Sequence, residues 1–322
     1  MKTFKRRTIL IFTVLAVFVN PVFVNAGEHK RIGILAFSEE GRYDEARKGI
    51  VDQLKKDGFG GTSVEFTIEN ARGSKAKAVE LTQKFSAARM DMIITLGTTA
   101  TIAMSREIKD VPIVFAMVYD PVAVGIARDW KSSGNNTTGA SPRFPMSRLV
   151  NVLKEFLAVK RLAVLYTPGE RNSEEQLAAM QETQAKSKII IVPVILTRNE
   201  DVAQTLPAVL QTVDAIYLSG GTILGTNTPM IVDMANKAKV ITITHLDDLV
   251  VKGVLIGVCT SSYQVGRLAG KKAVRILQGA KPSSLPIDPA RKLDVILNLK
   301  TAAAGQFRIP PGFMKKVTKT IE

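Results

Sequence analysis

The sequence predicts an α/β protein built as two doubly wound parallel-sheet lobes joined by a multi-strand hinge. Three observations predict it. Short, near-continuous apolar strands alternate with amphipathic helices, the pattern of βαβ units with right-handed crossovers. That rhythm runs once before residue 118 and starts again after residue 141. Between the two stands DVPIVFAMVYDPVAVGIARDWKSSGNNTTGAS, residues 110–141, whose apolar run stops at Asp120-Pro121. Pro121 lacks a ladder donor and biases Asp120 away from helix, so the strand must end there. Strands on both sides of such a break suggest a chain leaving one sheet for another. That is a hinge, and two lobes around a crevice imply capture of a ligand.

In the first half, RIGILAF (31–37) is a buried strand, followed by a helix over 43–56 and the turn Asp57-Gly58. Strands at 64–68, 92–96 and 111–118 alternate with helices near 74–88 and 99–108. After Ser141 a helix over 147–157 leads to a strand at 161–166, and a helix near 174–186 leads to a strand at 189–196. A shorter helix, disturbed by Pro207, precedes the strand at 215–218. A helix near 230–238 precedes the strand at 240–244, and 254–259 closes the set. The runs are apolar throughout because a parallel sheet is covered on both faces. The helix over 264–278 ends at Gly279, a favourable residue just past a helix end, and a strand-like 295–299 follows a Pro-rich stretch.

The 322 residues, 46% of them apolar, suffice for two α/β domains with their own cores. Residues 1–26 read as a signal peptide: Lys2, Lys5, Arg6 and Arg7, an apolar run over 8–19, then Val24-Asn25-Ala26. Twelve apolar residues are short for a membrane span. No cysteine follows that run, so a free periplasmic protein is expected rather than a lipoprotein. The leader carries four positive charges and no negative ones, leaving +11 of the formal +15 on the mature chain. These charges are dispersed and form no nucleic-acid-binding module. Cys259 is the one cysteine, so no intramolecular disulfide can form, and its apolar neighbours suggest a core position.

Open parallel sheets bind ligands outside the carboxyl ends of their strands. That rule nominates Ser38 through Arg42, the Gly97-Thr98-Thr99 turn, Ser219-Gly220-Gly221-Thr222, the pair Asp247-Asp248, and Ser261-Ser262-Tyr263. Thr98 and Thr99 open a helix whose N–H groups and dipole would suit a carboxylate, or serve as an ordinary N-cap. Asp247-Asp248 would suit an ammonium group, although a solvated pair is commoner. Catalysis finds little support. His29 and His245 stand far apart, no nucleophile elbow or metalloprotease helix is present, and the glycines form no dinucleotide fingerprint. Neither a cofactor nor a metal is expected.

The motifs also carry a family resemblance. VPIVFAMVYDPVAVGI with NNTTGAS downstream, LGTTA at 96–100, KRLAVLYTPGERNSEEQ at 160–176, YQVGRLAGKKAVRILQGAKPSSLPI at 263–287 and NLKTAAAGQFRIP at 298–310 span nearly the whole mature chain. Together they resemble the ABC-transporter substrate-binding proteins of the type I periplasmic binding protein fold, the group that includes tryptophan-binding members. VITITHLDD at 240–248 departs from the group. The resemblance implies a monomeric, bilobed, non-enzymatic receptor that closes on a small solute and delivers it to the membrane permease of an ABC importer. It places the first lobe at 30–141 plus 264–290, and the second at 142–260 with 293–322 returning across the hinge. It implies ligand contacts from Ser38, Thr98 and Thr99 on one lobe. The other lobe would supply Tyr166, Asn172, Ser219, Thr222 and Asp248, with Tyr119, Asp120, Ser141 and Ser262 near the hinge. Phe37, Tyr119 and Tyr166 at strand ends could sandwich a planar side chain or pack in the core. An amino acid or related small carboxylate is therefore expected over a sugar. The competing expectation is a ligand-sensing module that presents its closed form to a chemoreceptor or sensor kinase.

Overall fold

The computed structural model describes residues 29–156 and 159–322, so the signal-peptide reading lies outside the described residues. The first half forms β1 (Lys30–Ala36), α1 (Gly41–Lys56), β2 (Val64–Asn70), α2 (Lys75–Ala87), β3 (Met92–Leu96), α3 (Thr98–Glu107), β4 (Ile113–Ala116) and β5 (Thr137–Ser141). The second half begins with α4 (Ser147–Phe156), β6 (Arg161–Tyr166), α5 (Arg171–Gln181), α6 (Gln184–Ser187) and β7 (Ile190–Ile195). It continues through α7 (Asn199–Leu210), β8 (Ala215–Leu218), α8 (Thr222–Lys237), β9 (Ile241–Thr244), α9 (Asp247–Val251) and β10 (Ile256–Cys259). Then come α10 (Ser262–Leu277), β11 (Asp288–Pro289), β12 (Asp294–Asn298), α11 (Leu299–Ala304), α12 (Pro311–Met314) and β13 (Lys319–Ile321).

Two sheets result. The six-stranded sheet has the order β2-β1-β3-β4-β5-β11 and is parallel throughout. The seven-stranded sheet has the order β7-β6-β8-β9-β10-β12-β13, with β12 antiparallel to β10. The chain passes between the sheets three times, after β5, after β10 and after β11. The central strands of the second sheet are buried on both faces. Leu162, Val164 and Tyr217 belong to one apolar cluster, while Ala163, Leu165, Ile216 and Leu218 belong to another. In the first lobe α10 returns to lie on α1. A Cβ at Gly266 would meet the Ala46 carbonyl and one at Gly49 the Tyr263 carbonyl, so bare backbone allows the two helices to touch.

Three expectations need correcting. The break at Asp120-Pro121 does not carry the chain to the second sheet. β4 and β5 pair in parallel register within the first, from Ile113 with Thr137 to Ala116 with Ala140. Residues 121–136 form a helix-free connection because Val122, Val124, Ile126 and Trp130 pack beside Phe115, Val118 and Ile287 and hold it on the sheet. The crossing comes after Ser141. The helix expected near 230–238 begins at Thr222 and runs through Pro229. Pro229 has no N–H for the Gly225 carbonyl, and Lys252 Nζ donates to that oxygen instead at 2.8 Å. Likewise α7 continues through Pro207 to Leu210.

Candidate functional site

The carboxyl ends of both sheets face one another across a crevice. A cavity of about 20 Å³ lies within it, lined by Arg42, Tyr43, Thr98, Met117 and Tyr119 from the first lobe side and Asn172, Gln176, Gly220 and His245 from the second. Further out, a cavity of about 560 Å³ is bordered by Ser38, Glu40, Arg72, Thr222 and Lys252. Several buried polar atoms here have no hydrogen-bond partner among the described residues: Ser38 Oγ, Thr98 Oγ1, Thr167 Oγ1, His245 Nε2 and Asp248 Oδ1. Four of them, on Ser38, Thr98, Thr167 and His245, lie one or two residues past the end of a parallel strand. Native proteins rarely leave such groups unpaired, so the unpaired atoms of Ser38, Thr98 and His245 at the crevice make it the candidate binding site.

Thr98 owes its place to Gly97. That glycine has φ +96°, and a Cβ there would lie 2.8 Å from Tyr43 Cζ, so both backbone and space require glycine. The first bond of α3 runs from Thr101 N to Gly97 O, which leaves the N–H groups of Thr98, Thr99 and Ala100 without intrahelical acceptors. The Thr99 side chain borders a different groove, between α2 and α3. Met117, just past β4, has φ +61°, the kind of sparsely populated backbone that gathers at functional sites.

A buried charge cluster joins the lobes. Arg42 Nη1 donates to Asp248 Oδ2 at 3.0 Å, and Arg42 also pairs with Glu40. Burial works against the Arg42 charge, but Asp248 and Glu40 outweigh it and keep the guanidinium ionised. Burial raises the Glu40 carboxyl to about 7; Arg42 opposes that rise and the Asp248 charge adds to it. Lys75 Nζ makes a second bridge, to the Gly169 carbonyl at 2.8 Å.

The remaining nominated residues are largely engaged within the fold. Asp120 Oδ1 accepts from Val122 and Ala123 N–H at 3.1 Å, and its Oδ2 pairs with Arg143 at 2.8 Å. Ser141 Oγ donates to the Tyr119 carbonyl at 2.7 Å. Ser262 Oγ donates to Asp247 Oδ1 at 2.6 Å, and Ser219 Oγ bonds Ser173 Oγ at 2.8 Å. The N-terminus of α8 holds a carboxylate of the protein itself, because Thr222 N–H donates to Glu170 Oε2 at 3.0 Å. Asn172 and Gln176, one turn apart on α5, bracket Gly220 by bonding its carbonyl at 2.8 Å and its N–H at 2.6 Å. Tyr166 ends β6 half-buried. Asp248, nominated for an ammonium group, has Arg42 on one oxygen and keeps Oδ1.

Sequence reasoning named Glu40 and Arg42 only as parts of a loop and weighed His245 only in the case against catalysis. Position at a strand end, the rule that found Thr98, would also have found His245. Among the described residues no group of three or more His, Cys, Asp or Glu side chains could hold a metal ion, and no helix is long and apolar enough to cross a membrane.

A family model described as ABC transporter substrate binding protein matches residues 31–321. The chain belongs to that family. Its members are solute-binding proteins rather than enzymes, and the fold is that of type I periplasmic binding proteins. The chain is 24% identical over 280 residues to a tyrosine-binding protein of Clostridioides difficile, covering 86% of this chain and 81% of the relative. It is also similar to a domain from Streptococcus pneumoniae solved in complex with L-Trp, at 25% identity and TM-score 0.87, covering 91% of this chain and all of the other. With a ligand-free, open substrate-binding protein with adhesive properties from Clostridium difficile the identity is 26% and the TM-score 0.71, over the same shares.

Proposed function

We propose that this chain is the extracytoplasmic receptor of an ABC importer, and that it captures an aromatic amino acid between lobes that close on it. The observation that carries this reading is the set of buried, unpartnered polar atoms converging on the crevice, with Thr98 Oγ1 at the mouth of α3. A ligand carboxylate accepts from Thr98 Oγ1 and from the free N–H groups of Thr98 and Thr99, where the helix dipole favours negative charge. Asp248 Oδ1 is the oxygen left for an ammonium group. Tyr43, Met117 and Tyr119 supply apolar walls for a ring. Ser38 and Thr222 stand at the outer rim, and Asn172 positions the Gly220 loop.

The names of the relatives support the ligand class, since one binds tyrosine and one was solved with L-Trp. The lobe arrangement supports closure. At almost equal identity, the chain superposes better on the liganded relative than on the ligand-free, open one. The inner cavity of about 20 Å³ has room for roughly one water. Admission of an amino acid therefore requires the lobes to part and the wall side chains to shift. The leader-like residues 1–26 and the family support a periplasmic receptor serving a permease.

A thermal-shift panel of aromatic and aliphatic L-amino acids, sugars and purines tests the reading. A ligand present at 100 times its Kd stabilises the protein by about 2.7 kcal/mol, a shift of several degrees. A selective response to aromatic amino acids is expected, and a response to sugars alone overturns the proposal.

A further inference from the structure

His245 is 1% exposed and belongs to neither of the bridges that join the lobes. Its ring is fixed from two sides. Tyr217 stacks on it with centroids 5.8 Å apart, and Tyr119 meets it edge-on at 5.5 Å. Nδ1 lies 2.8 Å from the hydroxyl of Tyr217, which is itself fully buried. That geometry selects the tautomer. The phenolic proton of Tyr217 needs an acceptor, and Nδ1 is the one the described residues offer. The reverse arrangement, with Nδ1–H donating, would leave that proton without one. Nδ1 therefore accepts and Nε2 carries the hydrogen. Burial, and secondarily the Arg42 charge, hold the imidazole neutral with a pKa of about 3. Nε2–H is then a neutral donor with no partner among the described residues, on a side chain that lines the inner cavity across from Thr98.

Resting on the amino-acid reading above, we propose that His245 is a specificity-determining residue: its Nε2–H donates to an acceptor on the ligand's ring, so the site selects L-tyrosine. L-phenylalanine leaves the donor buried and unpaired. The indole N–H of L-tryptophan meets donor with donor. A site built around such a hydrogen bond rejects the analogue that lacks the acceptor. The carboxylate end is read by Thr98 and α3 and is common to all three amino acids, so discrimination falls to His245.

Isothermal titration of the purified protein with L-tyrosine, L-phenylalanine and L-tryptophan tests this. Tyrosine is expected to bind about ten- to a hundredfold more tightly than phenylalanine, the scale of leaving one buried donor unpaired. His245→Phe should bring that ratio within about threefold, and His245→Gln, which keeps an N–H donor, should retain part of it. If His245→Phe fails to fold, Tyr217→Phe serves instead, because it keeps the imidazole but frees the tautomer and should also lower the ratio. Equal affinities in the wild type, or a ratio unchanged by these variants, overturns the inference and leaves the amino-acid receptor standing. Failure of all three amino acids to bind, with a selective response to another solute, overturns both.

Discussion

Arg42 Nη1 lies 3.0 Å from Asp248 Oδ2, and this buried ion pair joins α1 of one lobe to α9 of the other. Both side chains are less than a tenth exposed, so parting the lobes breaks the pair while solvating each partner. Asp248→Ala leaves Arg42 paired with Glu40 and removes the bridge. Asp248 Oδ1 is also the oxygen proposed for the ligand's ammonium group, so L-tyrosine affinity should fall at least tenfold from the two losses together, and compaction is the readout that reports the latch. Small-angle scattering should show less compaction on adding ligand than in the wild type. Unchanged compaction would mean that the pair does not latch closure.

Thr98→Ala separates binding from folding. Thr98 Oγ1 has no partner among the described residues, so its removal costs no native hydrogen bond. The melting temperature should stay within a degree or two, while affinity for the amino acid drops roughly tenfold as one hydrogen bond to the carboxylate disappears. Thr98→Ser should restore most of it. Calorimetry of folding and of binding on the same preparations checks both halves.

Glu40 links the charge cluster to pH. Its carboxyl is raised from 4.5 to about 7 in the folded protein, chiefly by burial; Asp248 and Glu170 push the same way, and Arg42 and Lys252 oppose them. Between those two values the folded protein holds a proton that the unfolded chain releases. The Glu40 contribution is therefore greatest below about pH 4.5 and is lost as pH rises through about 7, by on the order of 3 kcal/mol. Glu40→Gln cannot titrate. Urea unfolding of both proteins at pH 5, 6, 7 and 8 should show wild-type stability falling relative to the variant across that range. Parallel curves would count against a titrating Glu40.

How much was legible follows from which interactions are local. The βαβ rhythm could be read because parallel strands covered on both faces must be apolar runs, as MIITL in β3 is. The hinge was misplaced because β5 is TTGAS, fully buried yet small and polar, and nothing in that string says it pairs with β4. A Cβ at Gly139 would collide with Phe115, a requirement visible only once the strands are side by side. The strand-end rule brought out Ser38 and Thr98 as crevice residues. It could not foresee which oxygens are already occupied, because their partners are remote in sequence: Ser173 for Ser219, Arg143 for Asp120, Glu170 for Thr222. The crossed pair Arg42–Asp248 spans 206 residues and leaves no local trace.

The same remoteness explains α8, where a proline is tolerated because a distant lysine repairs the damage. Lys252 Nζ occupies the Gly225 carbonyl that Pro229 cannot reach, so the two residues should be energetically coupled. Lys252→Met should cost about 1–2 kcal/mol by leaving that carbonyl unpaired. Pro229→Ala restores an N–H four residues on, and in that background the same lysine change should cost less, with a coupling of about 1 kcal/mol. Lys252 also acts on Glu40, so the cycle belongs at pH 5, where a carboxyl of pKa about 7 is protonated and this second effect is removed. Additive costs would mean that Lys252 stabilises the rim of the crevice through charge alone. Coupling would show that Pro229 in α8 and the lysine at the crevice mouth act as one device, the carbonyl left by the proline being satisfied by a side chain of the same lobe.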